Sequence, residues 1–214
     1  MSKSVVREPQ RRNSRSNRAR ILATARQELG RNPDVTLEEI ARAAGVVRRT
    51  LFGHFPGRAA LLEALAEEAS EALRGTLVRT PDAEETPQRA LARFVLSIWP
   101  VGDRYRLLLA LARQDLGAER VSEILAPARN EATAILERGQ RAGVFHGHLP
   151  AAVLSAALEA LNLSLLESVN TGTWEDDGTR TAVATLVAAG VSERTATMTV
   201  EGVAADMRAE GSDG

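Results

Sequence analysis

Alanine and leucine, 36 and 26 residues, supply 62 of the chain's 214 positions, and that excess of strong helix formers commits it to helix. Aromatic residues make up 3% of the sequence, too few for the β-branched and aromatic strands of a sandwich or barrel. An all-α fold is expected. The chain has no cysteine, which excludes disulfides, thiolate nucleophiles and Cys-based metal clusters and fits a reducing compartment. No apolar run of signal-peptide length follows the basic N-terminus before Arg20. The most apolar stretch, Ala151 to Leu166, is interrupted by Ser155, Glu159, Asn162 and Ser164. A membrane span is therefore not expected, and the chain reads as a cytoplasmic protein with no membrane partner.

Charge divides the sequence into two parts. Residues 1–60 carry 13 Lys and Arg against 5 Asp and Glu, a net of +8. Residues 61–214 carry 14 against 23, a net of -9. A polyanion-binding head on an acidic body is implied. Residues 1–15 lack apolar periodicity and read as a flexible basic arm, residues 16–60 as the head, and residues 61–214 as the body.

In the head, Ile21, Leu22, Ala25 and Leu29 mark a first helix, with Ser16 or Asn17 as its N-cap. Thr36-Leu37-Glu38-Glu39 is a capping box that opens a short helix with Leu37, Ile40, Ala41 and Ala44 on one face. Gly45 permits a tight turn, and Val46 is placed to enter the core. A second short helix, about Val47 to His54, presents Leu51 and Phe55 inward and leaves Arg48, Arg49 and Thr50 outward. Pro56-Gly57 closes it ahead of a long amphipathic helix through Leu61, Leu62, Leu65, Ala69 and Leu73. Two short helices joined by a glycine turn, the second bearing outward arginines, form a helix-turn-helix.

That helix-turn-helix offers double-stranded DNA the contacts it requires. Arginine bonds guanine bidentately in the major groove, and Thr50 can meet a thymine methyl or a base-edge acceptor. Phosphate contacts are expected from His54, Arg58 and the helix N-terminus at Thr36. The wording from Arg18 to Leu65, with Thr36-Leu-Glu-Glu-Ile-Ala-Arg-Ala-Ala-Gly-Val and Arg49-Thr-Leu-Phe-Gly-His-Phe-Pro-Gly-Arg58, resembles the DNA-binding domain of the tetracycline-repressor (TetR) family of bacterial regulators. The resemblance implies that Arg48, Arg49 and Thr50 face bases and that Phe52, His54 and Arg58 face the DNA backbone. The sequence departs from the family pattern twice. Val47 stands where the family has a capping Ser or Thr, and Phe52 where it has Tyr. Each forgoes a phosphate hydrogen bond of about 1 kcal/mol.

The body shows further helical periodicity. One helix is expected through Leu91, Phe94, Val95, Ile98 and Trp99, ended by Pro100, and another through Tyr105, Leu108, Leu109, Ala112 and Leu116. A long one covers Val121 to Leu136, with a kink at Pro127. A connector, Gly143 to Pro150, precedes helical regions at about Ala151 to Asn170 and Gly178 to Arg208, the latter broken near Gly190. Gly172 to Gly178 reads as an exposed loop.

Catalysis finds no support: there is no phosphate-cradling glycine loop, no Gly-x-Ser-x-Gly elbow and no Cys. His146 and His148 lack a third ligand at suitable spacing, so no metal, cofactor or enzymatic activity is expected. The resemblance implies that the middle helices enclose a small-molecule pocket, and Phe94, Trp99 and Tyr105, with Leu109 on the same segment, are its candidate lining for an apolar or aromatic effector, with plain core packing as the alternative. An inward Arg93 or Arg106 would add an anionic group to that ligand, with Glu159 or Asp115 as the structural alternative. The region Ala151 to Asn170 is apolar on more than one face, and in the resembled family the last two long helices build a dimer. These features converge on a homodimeric, ligand-responsive regulator, most simply a repressor released from a palindromic operator. The rival reading is a helical small-molecule or partner-binding module whose DNA-reading head has weakened.

Overall fold

The computed structural model describes residues 7–77 and 85–212, with the side chains of 7–12, 14, 106–110, 112–114 and 212 outside that description. Among the described residues there are nine helices and no strand: α1 Arg7–Arg31, α2 Leu37–Ala43, α3 Arg48–His54, α4 Arg58–Leu77, α5 Pro87–Asp115, α6 Ala118–Arg141, α7 Ala151–Asn170, α8 Thr179–Ala188 and α9 Glu193–Ser212. The all-α expectation holds.

Two boundaries differ from the sequence expectation. Helix α1 begins at Arg7, well ahead of Ser16 and Asn17, so residues 7–15 of the expected arm are helical, and residues 1–6 lie outside the described residues. Pro9 lies in the first turn, where its missing N–H would have had no intrahelical partner. Helix α5 runs through Pro100 without ending. An interior proline, through the lost hydrogen bond and the clash of its ring with the preceding turn, costs about 3 kcal/mol. The apolar stripe nevertheless continues on both sides, with Leu91, Val95, Trp99 and Tyr105 all buried. Helix α6 likewise continues through Pro127.

The chain forms two compact units. One comprises Met1–Glu68 and Leu107–Val121, the other Ala69–Arg106 and Ser122–Gly214. The division thus differs from the expected one at residue 60, and α4, α5 and α6 each contribute residues to both units. The first unit buries Ile21, Leu22 and Leu29 of α1 together with Ile40, Leu51, Phe55, Leu61, Leu62 and Leu65. Arg26 pairs with Glu68, and Arg120 Nε donates to Glu63 Oε1 at 2.8 Å.

The second unit is built on Leu91, Val95, Ile135, Leu136, Leu158, Leu186 and Val200. Phe145 of the α6–α7 connector lies over Gly139, where a Cβ would stand 2.0 Å from the ring. Trp99 packs on Gly178 in the same way. Asp176 does more than line a loop: its carboxylate accepts from the Arg180 and Thr181 N–H groups at 3.0 Å and so caps α8. The connector histidines are also employed. Their rings stack with centroids 3.9 Å apart, and His146 Nε2 lies 2.9 Å from the Ala188 carbonyl oxygen.

Candidate functional site

The head presents its site on a framework set by local chemistry. The Glu39 N–H donates to Thr36 Oγ1 at 3.2 Å, while the Thr36 N–H and hydroxyl both donate to Glu39 Oε2 at 2.8 Å. This is the expected capping box. The turn after α2 uses Gly45 at φ +64°, a left-handed backbone that a side chain would strain. Leu51 and Phe55 are buried and Val46 half-buried, which anchors α3 by its inner face.

The Thr36 hydrogen bonds hold the Glu39 carboxyl below its ordinary value. A depressed folded-state value means that the carboxylate stabilises the head fully above the ordinary carboxylate range and loses that contribution as pH falls through it. Glu39→Gln keeps an oxygen acceptor but does not titrate. The wild type should therefore melt above the variant near neutrality and lose that advantage below about pH 4.3, read by melting temperature against pH.

The outer side of α3 carries the residues singled out in the sequence. Val47 precedes the helix with no side-chain cap bond and is 69% exposed. Arg48 and Arg49 are exposed, and Thr50, Phe52 and His54 are half-buried. Arg48 is held twice: Nη2 lies 3.0 Å from Glu38 Oε1, and its guanidinium sits 5.0 Å from the Phe52 ring centroid. An exposed pair of this kind is worth at most about 1 kcal/mol and exchanges readily for another anion. Arg49 makes no ion pair among the described residues.

Arg58 is placed differently from its expected role on phosphate. Its Nη1 and Nη2 donate to the Val35 and Pro33 carbonyls at 3.1 and 2.6 Å, and its Nε lies 3.7 Å from Asp115. The guanidinium thereby braces the loop that presents Thr36.

The expected effector residues separate. A cavity of about 100 Å3 lies in the second unit between α5, α6, α7 and α8, and Phe94 lines it. Trp99 and Tyr105 are buried elsewhere, Trp99 against Gly178 and Tyr105 beneath Arg104, and neither reaches this cavity. Leu109 and Arg106 have side chains outside the described residues. Arg93 pairs with Glu85 and Glu210, and Glu159 pairs with Arg129, a partner that the sequence did not disclose. Among the described residues no group of three metal-binding side chains converges.

Residues 21–65 match the family described as bacterial regulatory proteins, tetR family. The fold is similar to a tetR-family regulatory protein from Rhodococcus RHA1, at 19% identity and a TM-score of 0.67, covering 82% of this chain and 98% of that one. It is also similar to NalD of Pseudomonas aeruginosa, the secondary repressor of the MexAB-OprM multidrug efflux pump, at 21% identity and a TM-score of 0.58, over 82% and 97% of the two chains. A third similar structure is RolR in complex with resorcinol, at 20% identity and a TM-score of 0.52, over 88% and 95%. No curated protein matches the sequence. The helix-turn-helix head, residues 21–65, thus carries the match to the tetR family of bacterial regulatory proteins, and the all-helical fold around it is similar to that of solved tetR-family structures.

Proposed function

We propose that the chain is a homodimeric repressor that binds a palindromic operator and releases it when a small apolar compound enters the helical body. The observation that carries this reading is the outer face of α3, where Arg49, with no ion pair among the described residues, exchangeable Arg48 and Thr50 project from a helix anchored by buried Leu51 and Phe55. On this reading these three face base edges, exposed Val47 meets a thymine methyl, and Thr36 and His54 approach phosphates. Phe52 shelves Arg48, and Arg58 acts through the loop that it braces.

The dimer reading is supported by α7. Leu154, Leu158 and Leu166 belong to the chain's own core, whereas Val153, Ala156, Ala157 and Ala160 remain exposed along another side. Met198 of α9 is also exposed. A second copy would cover these apolar surfaces, and two-fold symmetry in the protein would be mirrored in the operator. The effector would act by binding more tightly to the conformation in which the paired reading helices no longer match successive major grooves.

Gel shifts with genomic fragments at several salt concentrations test the reading. Affinity should fall steeply with salt as counterions are released from phosphates. Binding indifferent to salt, or no binding, would favour the rival module without a working head. Phe52→Tyr should strengthen binding to preferred and non-preferred duplexes alike, by about 1 kcal/mol or roughly fivefold, through a restored phosphate hydrogen bond. The same gel shifts check it.

A further inference from the structure

We infer that the body cavity takes a neutral, single-ring aromatic compound bearing a hydroxyl group, with the Arg129–Glu159 pair as its polar anchor. This rests on the reading of the body as an effector site and names the class of effector. The cavity, about 100 Å3, is walled by Leu91, Phe94, Val95, Ile98, Leu158 and Leu163. Apolar walls of this kind favour an apolar occupant.

The charge at the rim decides what polar group the occupant carries. Arg129 Nε and Nη2 donate to Glu159 Oε2 and Oε1, both at 2.9 Å, a forked pair with each side chain about a quarter exposed. The hydrogen bonds that Arg129 donates to Glu159 hold its guanidinium above its ordinary value. Nη1 is directed to Ser122 Oγ at 3.3 Å. The pair has no net charge. An anionic ligand would have to displace Glu159 and leave a half-buried carboxylate without its partner, and a cation would do the same to Arg129. A hydroxyl breaks nothing, because it donates to a lone pair that the carboxylate still has free.

The remaining polar groups lining the cavity make no demand on a ligand. Ser155 Oγ donates to the Arg129 carbonyl at 3.2 Å, Asn162 Nδ2 to the Leu158 carbonyl at 2.7 Å and Thr185 Oγ1 to the Thr181 carbonyl at 2.8 Å. A sugar or nucleotide would bring many polar groups to a wall with few partners left. Phe94 lines both this cavity and a second one of about 40 Å3 beside Ser97 and Glu131, so its truncation would enlarge the space open to a ligand.

Calorimetric titration of the full chain at neutral pH with phenol, toluene, benzoate and 2-naphthol tests the proposal. Phenol should bind most tightly, with toluene weaker by roughly fivefold for the lost hydrogen bond and benzoate by about tenfold or more for the broken pair. 2-Naphthol should bind poorly to the wild type and gain on Phe94→Ala. Glu159→Gln frees the Arg129 charge and should reverse the order of phenol and benzoate. The double variant Arg129→Leu with Glu159→Leu leaves no unpaired charge behind, so it is the safer fold, and it should bring phenol and toluene level. Benzoate binding the wild type as tightly as phenol, or none of the four compounds binding, would overturn the proposal. A parallel gel shift without any compound separates the two readings, since DNA binding would persist if only the ligand class were wrong.

Discussion

Arg49→Ala should cost about 1–3 kcal/mol of discrimination between preferred and scrambled duplexes, a loss of roughly 5- to 150-fold, if its guanidinium reads a guanine. Arg49 is exposed and pairs with no acid among the described residues, so its removal should leave stability within about 0.5 kcal/mol of wild type. Arg48→Ala should do less, because a DNA contact by Arg48 would replace an existing pair with Glu38 and a stack on Phe52. Competition binding at one fixed salt concentration measures both. If Arg49→Ala weakened preferred and scrambled duplexes equally, Arg49 would be a backbone contact and the reading face of α3 would be turned.

Gly178→Ala should damage the body through two costs at once. The residue has φ +98°, and a Cβ there would stand 2.7 to 2.9 Å from the Trp99 side chain. Left-handed strain costs about 1–3 kcal/mol, and overpacking a filled core costs a similar 1–3 kcal/mol. Their sum would lower the melting temperature by roughly 5–15 °C for a chain of this size. Trp99 is buried and close to the change, so its fluorescence should shift as well. A melting temperature equal to wild type would show that Trp99 does not hold the place described.

The head was legible in the sequence because its signals are local. A capping box spans four residues, Gly45 marks its own turn, and buried Leu51 and Phe55 fall one helical turn apart. The body was legible only as helices. Phe94 and Trp99 are neighbours in sequence, yet at about 100° per residue they point some 140° apart, and they meet different partners. The Arg129–Glu159 pair joins residues thirty positions apart on two helices, so no spacing rule could find it. The sequence offers Glu159 as a partner for an inward Arg93 or Arg106, whereas the fold pairs it with Arg129. Pro100 misled for a related reason: a proline weakens a helix locally, whereas the stripe from Leu91 to Tyr105 is decided by what α5 packs against. Arg58 illustrates the same limit in the head, since only the fold brings it to the Pro33 and Val35 carbonyls.

The central claim is that two copies of α3 read DNA through Arg48, Arg49 and Thr50. Selection of duplexes from a random pool by the full chain, followed by sequencing, tests it most directly. The account predicts an enriched site with two-fold symmetry, its half-sites about 10 base pairs or a multiple of that apart. It further predicts that Arg49→Ala flattens the preference at one base pair in each half-site. An enriched site without two-fold symmetry, or no enrichment over the starting pool, would contradict it.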